Sequence, residues 1–251
     1  MSTVSWHSMH TKQIKTITMR EPTLYVFLAV AVLLSVNAED VEAGERRNVR
    51  LAYGQGQTLS LTVVYPLDYS AETAHPLVLA LPPGPGTLEM VDAFLANYWL
   101  EEADRRGYIL VSPAVFGPEL ETSAREVVDA VFGWLEENVS FDPERVTLTG
   151  QSNGGLGAFH VARVEPDRFS SMVVMPGGYG SGGDLVQLAG MPVLLAVGER
   201  DTQWVGLVNH TRDLLVLADA EPQVEVIPGA GHVFPYSPRR LFDWIELAHP
   251  E

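Results

Sequence analysis

Residues 146–155 read Val-Thr-Leu-Thr-Gly-Gln-Ser-Asn-Gly-Gly. The run is β-branched and apolar up to Thr149, and its next five residues, Gly150-Gln151-Ser152-Asn153-Gly154, fit the pattern G-x-S-x-G. That spacing answers a steric problem. A strand that turns at once into a helix forces the central residue into a strained backbone conformation, and glycines two before and two after it leave the room. Ser152 is then expected at the carboxyl end of a strand, its hydroxyl exposed and a helix N-terminus aimed at any anion forming beside it. This is a nucleophile's position, and it demands a buried strand before, a helix after, and an acid and a base further along the chain.

The flanking sequence supplies the strand and the helix. Residues 49–53 and 58–65 alternate around Gly54-Gln55-Gly56-Gln57, which predicts two antiparallel strands joined by a glycine turn at one edge of a sheet. After a polar loop over 66–75, residues 76–81 are apolar without alternation, as in a strand covered on both faces, and they end in Pro82-Pro83-Gly84-Pro85-Gly86-Thr87. Helical spacing predicts one helix over 88–106, stopped at Gly107, and a second over 123–139. Strands are expected at 108–113, 171–175, 192–197 and 224–227, and helices at 154–165, 205–218 and 237–247. Asp142-Pro143-Glu144-Arg145 reads as a turn leading into the strand at Val146. Strands alternating with helices on short connections predict an α/β fold: a mostly parallel sheet with helices on both faces and antiparallel strands at its N-terminal edge. Only residues 177–191 separate the strand after the elbow helix from the next strand, too few for a cap domain, so an open site is expected.

Composition narrows the function classes. Residues 1–23 carry Lys12, Lys15 and Arg20, residues 24–36 are uncharged and apolar, and Ser35-Val36-Asn37-Ala38 offers small residues for cleavage. Together these read as a secretory signal over 1–38, with cleavage after Ala38, followed by one domain over 39–251. Thirteen apolar residues fall short of the ~20 needed to span a bilayer. The alternative is an uncleaved N-terminal anchor. A secreted or periplasmic protein is expected, with no stable membrane insertion once the signal is gone. Beyond residue 38 there is no lysine, and 13 arginines stand against 31 carboxylates, a formal charge of −18. So acidic a chain is a poor partner for nucleic acid or anionic lipid, and suits a soluble protein in a salty or extracellular setting. The absence of cysteine excludes disulfides, thiolate zinc sites and cysteine nucleophiles.

A serine hydroxyl needs a base to attack an ester, and the base needs an orienting carboxylate. After Ser152 the chain offers Gly198-Glu199-Arg200-Asp201 beyond one strand and Gly229-Ala230-Gly231-His232 beyond the next. Strand carboxyl ends are where open α/β sheets build their sites. Asp201 is expected as the acid, with Glu199 its rival two residues away, and His232 as the base on a glycine-loosened loop. His160 is expected to pack within the elbow helix, while His75 precedes a strand and His210 and His249 lie on helices. An oxyanion site needs two aimed N–H donors. One is expected from Asn153, the other from Gly84, with Gly86 in reserve, because Pro82, Pro83 and Pro85 carry no N–H. Trp204 and Phe234 follow the acid and the base and are candidates to line the mouth.

With these residues placed, the chain over roughly 49–247 resembles the α/β-hydrolase superfamily. The run from Asp142 through Val146 into Gly150-Gln151-Ser152-Asn153-Gly154-Gly155 is similar to secreted esterases of the polyhydroxybutyrate-depolymerase and feruloyl-esterase-like group. The doubled glycine is shared with the dienelactone-hydrolase-like and prolyl-oligopeptidase-like branches. The resemblance implies an exported serine esterase that cleaves carboxylic esters through an acyl-enzyme, with Ser152, Asp201 and His232 as nucleophile, acid and base and with neither cofactor nor metal. Small-molecule or polymer-attached esters are the expected substrates. Two departures are visible: the loop often read His-Gly-Gly is Pro82-Pro83-Gly84, and the cysteine nucleophile of true dienelactone hydrolases is absent. The other function classes are a prolyl-oligopeptidase-like peptidase, disfavoured because no propeller precedes the domain, and a non-catalytic binding protein that keeps the fold.

Overall fold

A computed structural model describes residues 44–249; the expected signal at 1–38 lies outside them. An edge hairpin comes first, β1 (Arg46–Tyr53) and β2 (Gln57–Val64), paired antiparallel across the glycine turn. Then follow β3 (His75–Leu81), α1 (Leu88–Tyr98), α2 (Leu100–Arg106), β4 (Ile109–Pro113), α3 (Leu120–Asn138), β5 (Phe141–Gly150), α4 (Asn153–Val164), β6 (Ser171–Val174), β7 (Pro192–Gly198), α5 (Thr202–Leu217), β8 (Glu221–Ile227) and α6 (Pro238–Ala248). The eight strands form one sheet in the order β1-β2-β4-β3-β5-β6-β7-β8, antiparallel from β1 to β4 and parallel from β4 to β8. Residues 177–191 hold a single short 3-10 turn, Val186–Leu188, and among the described residues no cap domain covers the sheet edge.

The runs without alternation are the central strands. β3, β4 and β6 are buried at every position, because helices cover both of their faces. Leu77, Leu79 and Leu81 point to the side where Val127, Val131 and Leu135 of α3, Ala158 and Ala162 of α4 and Leu215 of α5 pack. Val78 and Ala80 point to the other side, against Phe94 of α1, Ala103 of α2 and Phe242 of α6. None of the helices among the described residues is long and apolar enough to cross a membrane.

Three expectations are corrected in detail. The helix expected over 88–106 is two helices, broken at Trp99 (φ −122°, ψ −43°). The indole is fully buried and meets Phe94 and Phe242 edge-on at 6.1 and 5.8 Å, so core packing overrides a helical pattern that continues unbroken through it. The break sets α2 against α6, where Arg106 reaches Asp243 and Glu246, each at 2.5 Å. The turn expected at 142–145 is instead a bulge inside β5: the ladder pairs His75 with Phe141 and resumes at Leu77 with Val146. The helices expected from residues 123 and 205 begin at Leu120 and Thr202.

Strand order fixes where a site can form. From β3 the chain moves to β4 on one side and then returns to β5 on the other, so the crevice beyond the carboxyl ends of β3 and β5 is a topological switch point. Gly84 follows β3 and Ser152 follows β5. Because Phe242 joins α6 to Trp99 and to Tyr108, whose ring lies 5.0 Å away, Phe242→Ala should destabilise the fold by about 3–5 kcal/mol. Urea unfolding followed by circular dichroism will read this as a lowered midpoint.

Candidate active site

The elbow is as tight as its glycines suggest. Ser152 has φ 55° and ψ −119°, outside the regions open to ordinary L-residues. A Cβ on Gly150 would lie 2.3 Å from the carbonyl oxygen of Gly154, and one on Gly154 would lie 2.1 Å from that of Leu81. Neither position can hold a side chain without moving backbone. The strained serine is held from both sides: its N–H donates to Pro176 O at 2.7 Å, and its carbonyl accepts from Leu156 N at 3.0 Å in the first turn of α4.

The side chains predicted from scattered strand ends meet here. His232 Nε2 lies 2.9 Å from Ser152 Oγ, and His232 Nδ1 lies 2.6 Å from Asp201 Oδ2. A carboxylate only accepts, so it fixes the proton on Nδ1 and leaves Nε2 as the acceptor for the serine hydroxyl. Asp201 occupies the N-cap position of α5, yet its side chain makes no capping bond there. Asp201 is largely shielded while His232 is more open, with 14% and 38% of their side-chain surface exposed.

Glu199, the rival acid, does something different. Its Oε2 accepts the N–H of Gly229 at 2.7 Å, at the start of the loop that carries His232. The same two loops are tied by Arg200 N to Ala230 O at 2.8 Å and Glu199 N to Ile227 O at 3.0 Å. They approach so closely that a Cβ on Gly198 would lie 2.1 Å from Gly231 O. On the far side of the base, the Tyr98 hydroxyl donates to Phe234 O at 2.8 Å and accepts from Gln151 Nε2 at 3.3 Å. Burial raises the Tyr98 pKa, with the Gln151 bond opposing it, so the phenol stays protonated and able to donate. The residue before Ser152 is thereby linked to the loop just past His232. Tyr98 escaped the sequence reading because its helical spacing marks it only as core.

The backbone N–H groups of Asn153 and Gly84, the expected oxyanion donors, have no acceptor among the described residues. The two stretches touch, since Asn153 Nδ2 donates to Gly84 O at 3.0 Å. Gly84 adopts φ +59°, a conformation glycine takes without strain. Gly86, the reserve candidate, already donates to Pro83 O at 3.2 Å and closes the turn. Trp204 lies beside the base, its ring centroid 5.1 Å from that of His232. Phe234 is a correction: only 2% exposed, it packs in the core with Tyr98 and Phe242 rather than lining a mouth, because the Tyr98 bond to its carbonyl turns the loop inward there.

The other histidines lie apart. His75 is the first residue of β3 and bonds Gly107 O and Ser70 N. His249 ends α6, where its ring meets Ser170 Oγ at 2.9 Å near the start of β6, and His210 is exposed on α5. His160 is buried on α4, as expected, but none of the described residues hydrogen-bonds its ring. No three acidic or histidine side chains converge as metal ligands among the described residues.

Comparison with known proteins places this geometry in a wider set. The family model named "Putative esterase" matches residues 118–212, from the turn before α3 into α5, a span that includes Ser152 and Asp201 but not His232. No curated protein matches the sequence. Among solved structures, a ferulic acid esterase from the anaerobic fungus Anaeromyces mucronatus superposes with a TM-score of 0.66 at 16% identity, over 83% of this chain and 91% of that one. A thermostable esterase gives a TM-score of 0.62 at 16% identity, over 82% of this chain and 60% of that one. Dipeptidyl peptidase 4 of Porphyromonas gingivalis gives 0.61 at 14% identity, over 82% of this chain but only 35% of that one. At such identities the likeness is one of architecture. By its strand order, its elbow and these superpositions, the chain has the fold of the α/β-hydrolase superfamily.

Proposed function

We propose that this chain is an exported serine hydrolase that cleaves carboxylic esters through an acyl-enzyme intermediate. The observation that carries it is the hydrogen-bonded series Asp201–His232–Ser152, at 2.6 and 2.9 Å, ending on a serine held at φ 55° at a switch point of the sheet. The esterase family match over residues 118–212 supports the same chemistry.

Ser152 Oγ attacks the ester carbonyl while its proton passes to His232 Nε2. The carbonyl electron pair moves onto oxygen, and that anion is received by the N–H groups of Asn153 and Gly84 and by the N-terminus of α4. Asp201 keeps the Nδ1 proton in place and stabilises the imidazolium. When the intermediate collapses, the bond to the alcohol oxygen breaks and His232 returns the proton to it. Water then repeats the sequence on the acyl-serine, with His232 as base and Ser152 as leaving group. No cofactor enters any step. Residues 177–191 make no lid, which leaves room for a bulky or polymer-attached alcohol beside His232 and Trp204.

Ser152→Ala should lower kcat for p-nitrophenyl acetate by at least roughly 10³-fold. Unchanged hydrolysis would remove Ser152 from the chemistry. Both esterases and peptidases share this fold, so p-nitroanilide substrates belong in the same assay; faster cleavage of the anilides would favour a peptidase. The two carboxylates are separated by substitution: Asp201→Asn should cost roughly 10³–10⁴ in kcat, and Glu199→Gln, which only weakens the clamp on Gly229, no more than about tenfold. The reverse order would make Glu199 the acid. For export, amino-terminal sequencing of protein recovered outside the cytoplasm should begin at Glu39; an intact leader there would mean an anchor.

A further inference from the structure

Tyr98, at the end of α1, lies 4% exposed in an apolar layer with Phe94, Trp99 and Phe242, a place that a bare phenyl ring would fill. Its hydroxyl nevertheless makes two bonds, and both go to the flanks of the proposed catalytic pair. Phe234 O, two residues past His232, accepts from it at 2.8 Å, and Gln151 Nε2, one residue before Ser152, donates to it at 3.3 Å. Gln151 is itself only 6% exposed, and its side-chain amide has no other partner among the described residues. A single phenol oxygen therefore joins the segment that carries the serine to the segment that carries the histidine.

The sheet shows why such a joint matters. Ser152 follows β5 and His232 follows β8, and the order β5-β6-β7-β8 puts three inter-strand steps between them. At ~4.8 Å and roughly 20–25° of twist per step, the two strands lie about 14 Å apart and are strongly rotated against each other. Small changes of twist add over the three steps, whereas proton transfer needs Nε2 within about 2.6–3.2 Å of Oγ. Ahead of His232 its loop is tied by Glu199 Oε2 to Gly229 N and by Arg200 N to Ala230 O. Those bonds fasten the β8 loop to the neighbouring β7 loop and leave its distance from β5 free. Among the described residues, the loop over 228–237 is hydrogen-bonded to the chain before β6 at two points, the Ser152–His232 bond itself and Tyr98.

We propose, resting on the ester-hydrolase reading, that Tyr98 is a positioning residue: its hydroxyl sets the distance between Ser152 and His232 by holding Gln151 and Phe234 on one oxygen across three strands. Gln151 is the other half of the device, which gives the second position of G-x-S-x-G a task in this chain. Without the phenol oxygen, the base loop is fastened on its β7 side alone. The Ser152–His232 bond is then made in a smaller fraction of molecules, while the groups that meet the substrate stay as they are. The loss falls on the rate of attack and not on substrate binding.

Tyr98→Phe removes the oxygen and keeps the ring. With p-nitrophenyl acetate, the acylation rate constant, read from the first turnover of p-nitrophenol release, should fall roughly ten- to thirtyfold, while the half-saturating ester concentration stays within about twofold. Gln151→Met should act alike and carries the test if Tyr98→Phe fails to fold. The double variant should be no slower than the slower single one, because the two side chains form one bridge. A second readout needs no turnover. Diethyl pyrocarbonate acylates an unprotonated imidazole nitrogen, and Nε2 of His232 is shielded while it accepts from Ser152. In either single variant, peptide mass spectrometry should find His232 modified several-fold faster than in the parent chain, with the exposed His210 as an unchanged reference. Faster modification of His232 in a parent chain series that turns over no ester would uphold the positioning role and defeat the hydrolase. Ester turnover that is lost in Ser152→Ala but unchanged in Tyr98→Phe, with His232 modified at the parent rate, would overturn the positioning role and keep the hydrolase. A loss confined to substrate binding, or losses that add in the double variant, would also overturn it.

Discussion

Everything at this site depends on a backbone approach that no side chain can enter. The hypothetical Cβ atoms of Gly150 and Gly154 fall 2.3 and 2.1 Å from the carbonyl oxygens of Gly154 and Leu81, so the first turn of α4 lies against the ends of β5 and β3 with no space for a side chain. The joint forces Ser152 to φ 55°, and a conformation of that kind persists only when its surroundings over-determine it. The bonds from the Ser152 N–H to Pro176 O and from Leu156 N–H to Ser152 O supply that constraint. What is gained is placement: a hydroxyl that stands clear of the sheet at its switch point, over the N-terminus of a helix.

The same solution recurs one step outward. Asp201 and His232 sit on loops that approach until a Cβ on Gly198 would meet the carbonyl oxygen of Gly231, and Glu199 ties the start of the His232 loop through Gly229. Tyr98 closes the ring, joining Gln151 beside the nucleophile to the carbonyl of Phe234 beyond the base. Serine and histidine thus stand on loops that are cross-linked by backbone and by buried side chains. A site whose parts come from β5, β7 and β8 keeps its geometry because these ties are short and few atoms can move.

Much of this was legible from residue order, and the reasons for the rest are physical. Glycine positions and uninterrupted apolar runs report steric need and double-sided burial directly, so the elbow, the central strands and the positions of Ser152, Asp201 and His232 at strand ends could be read. Glu199 and Asp201 could not be separated in the sequence, since two carboxylates two residues apart differ only in which way the loop turns them. Phe234 was a candidate for the mouth, and only the bond from Tyr98, more than a hundred residues away in sequence, explains why it faces the core. The break at Trp99 was invisible because helical spacing runs through it, and Asp142-Pro143-Glu144-Arg145 has the composition of a turn although it forms a bulge. His160 is expected to pack within the elbow helix, and it is buried there.

The central claim is that Ser152 is made nucleophilic by His232 and Asp201. The most direct measurement is to treat the full chain with a fluorophosphonate, which reacts only with an activated serine, and to map the adduct by peptide mass spectrometry. A single adduct on Ser152, absent when the reagent meets denatured protein, is the predicted result. An unlabelled Ser152 in the folded protein, or an adduct on another serine, would contradict it.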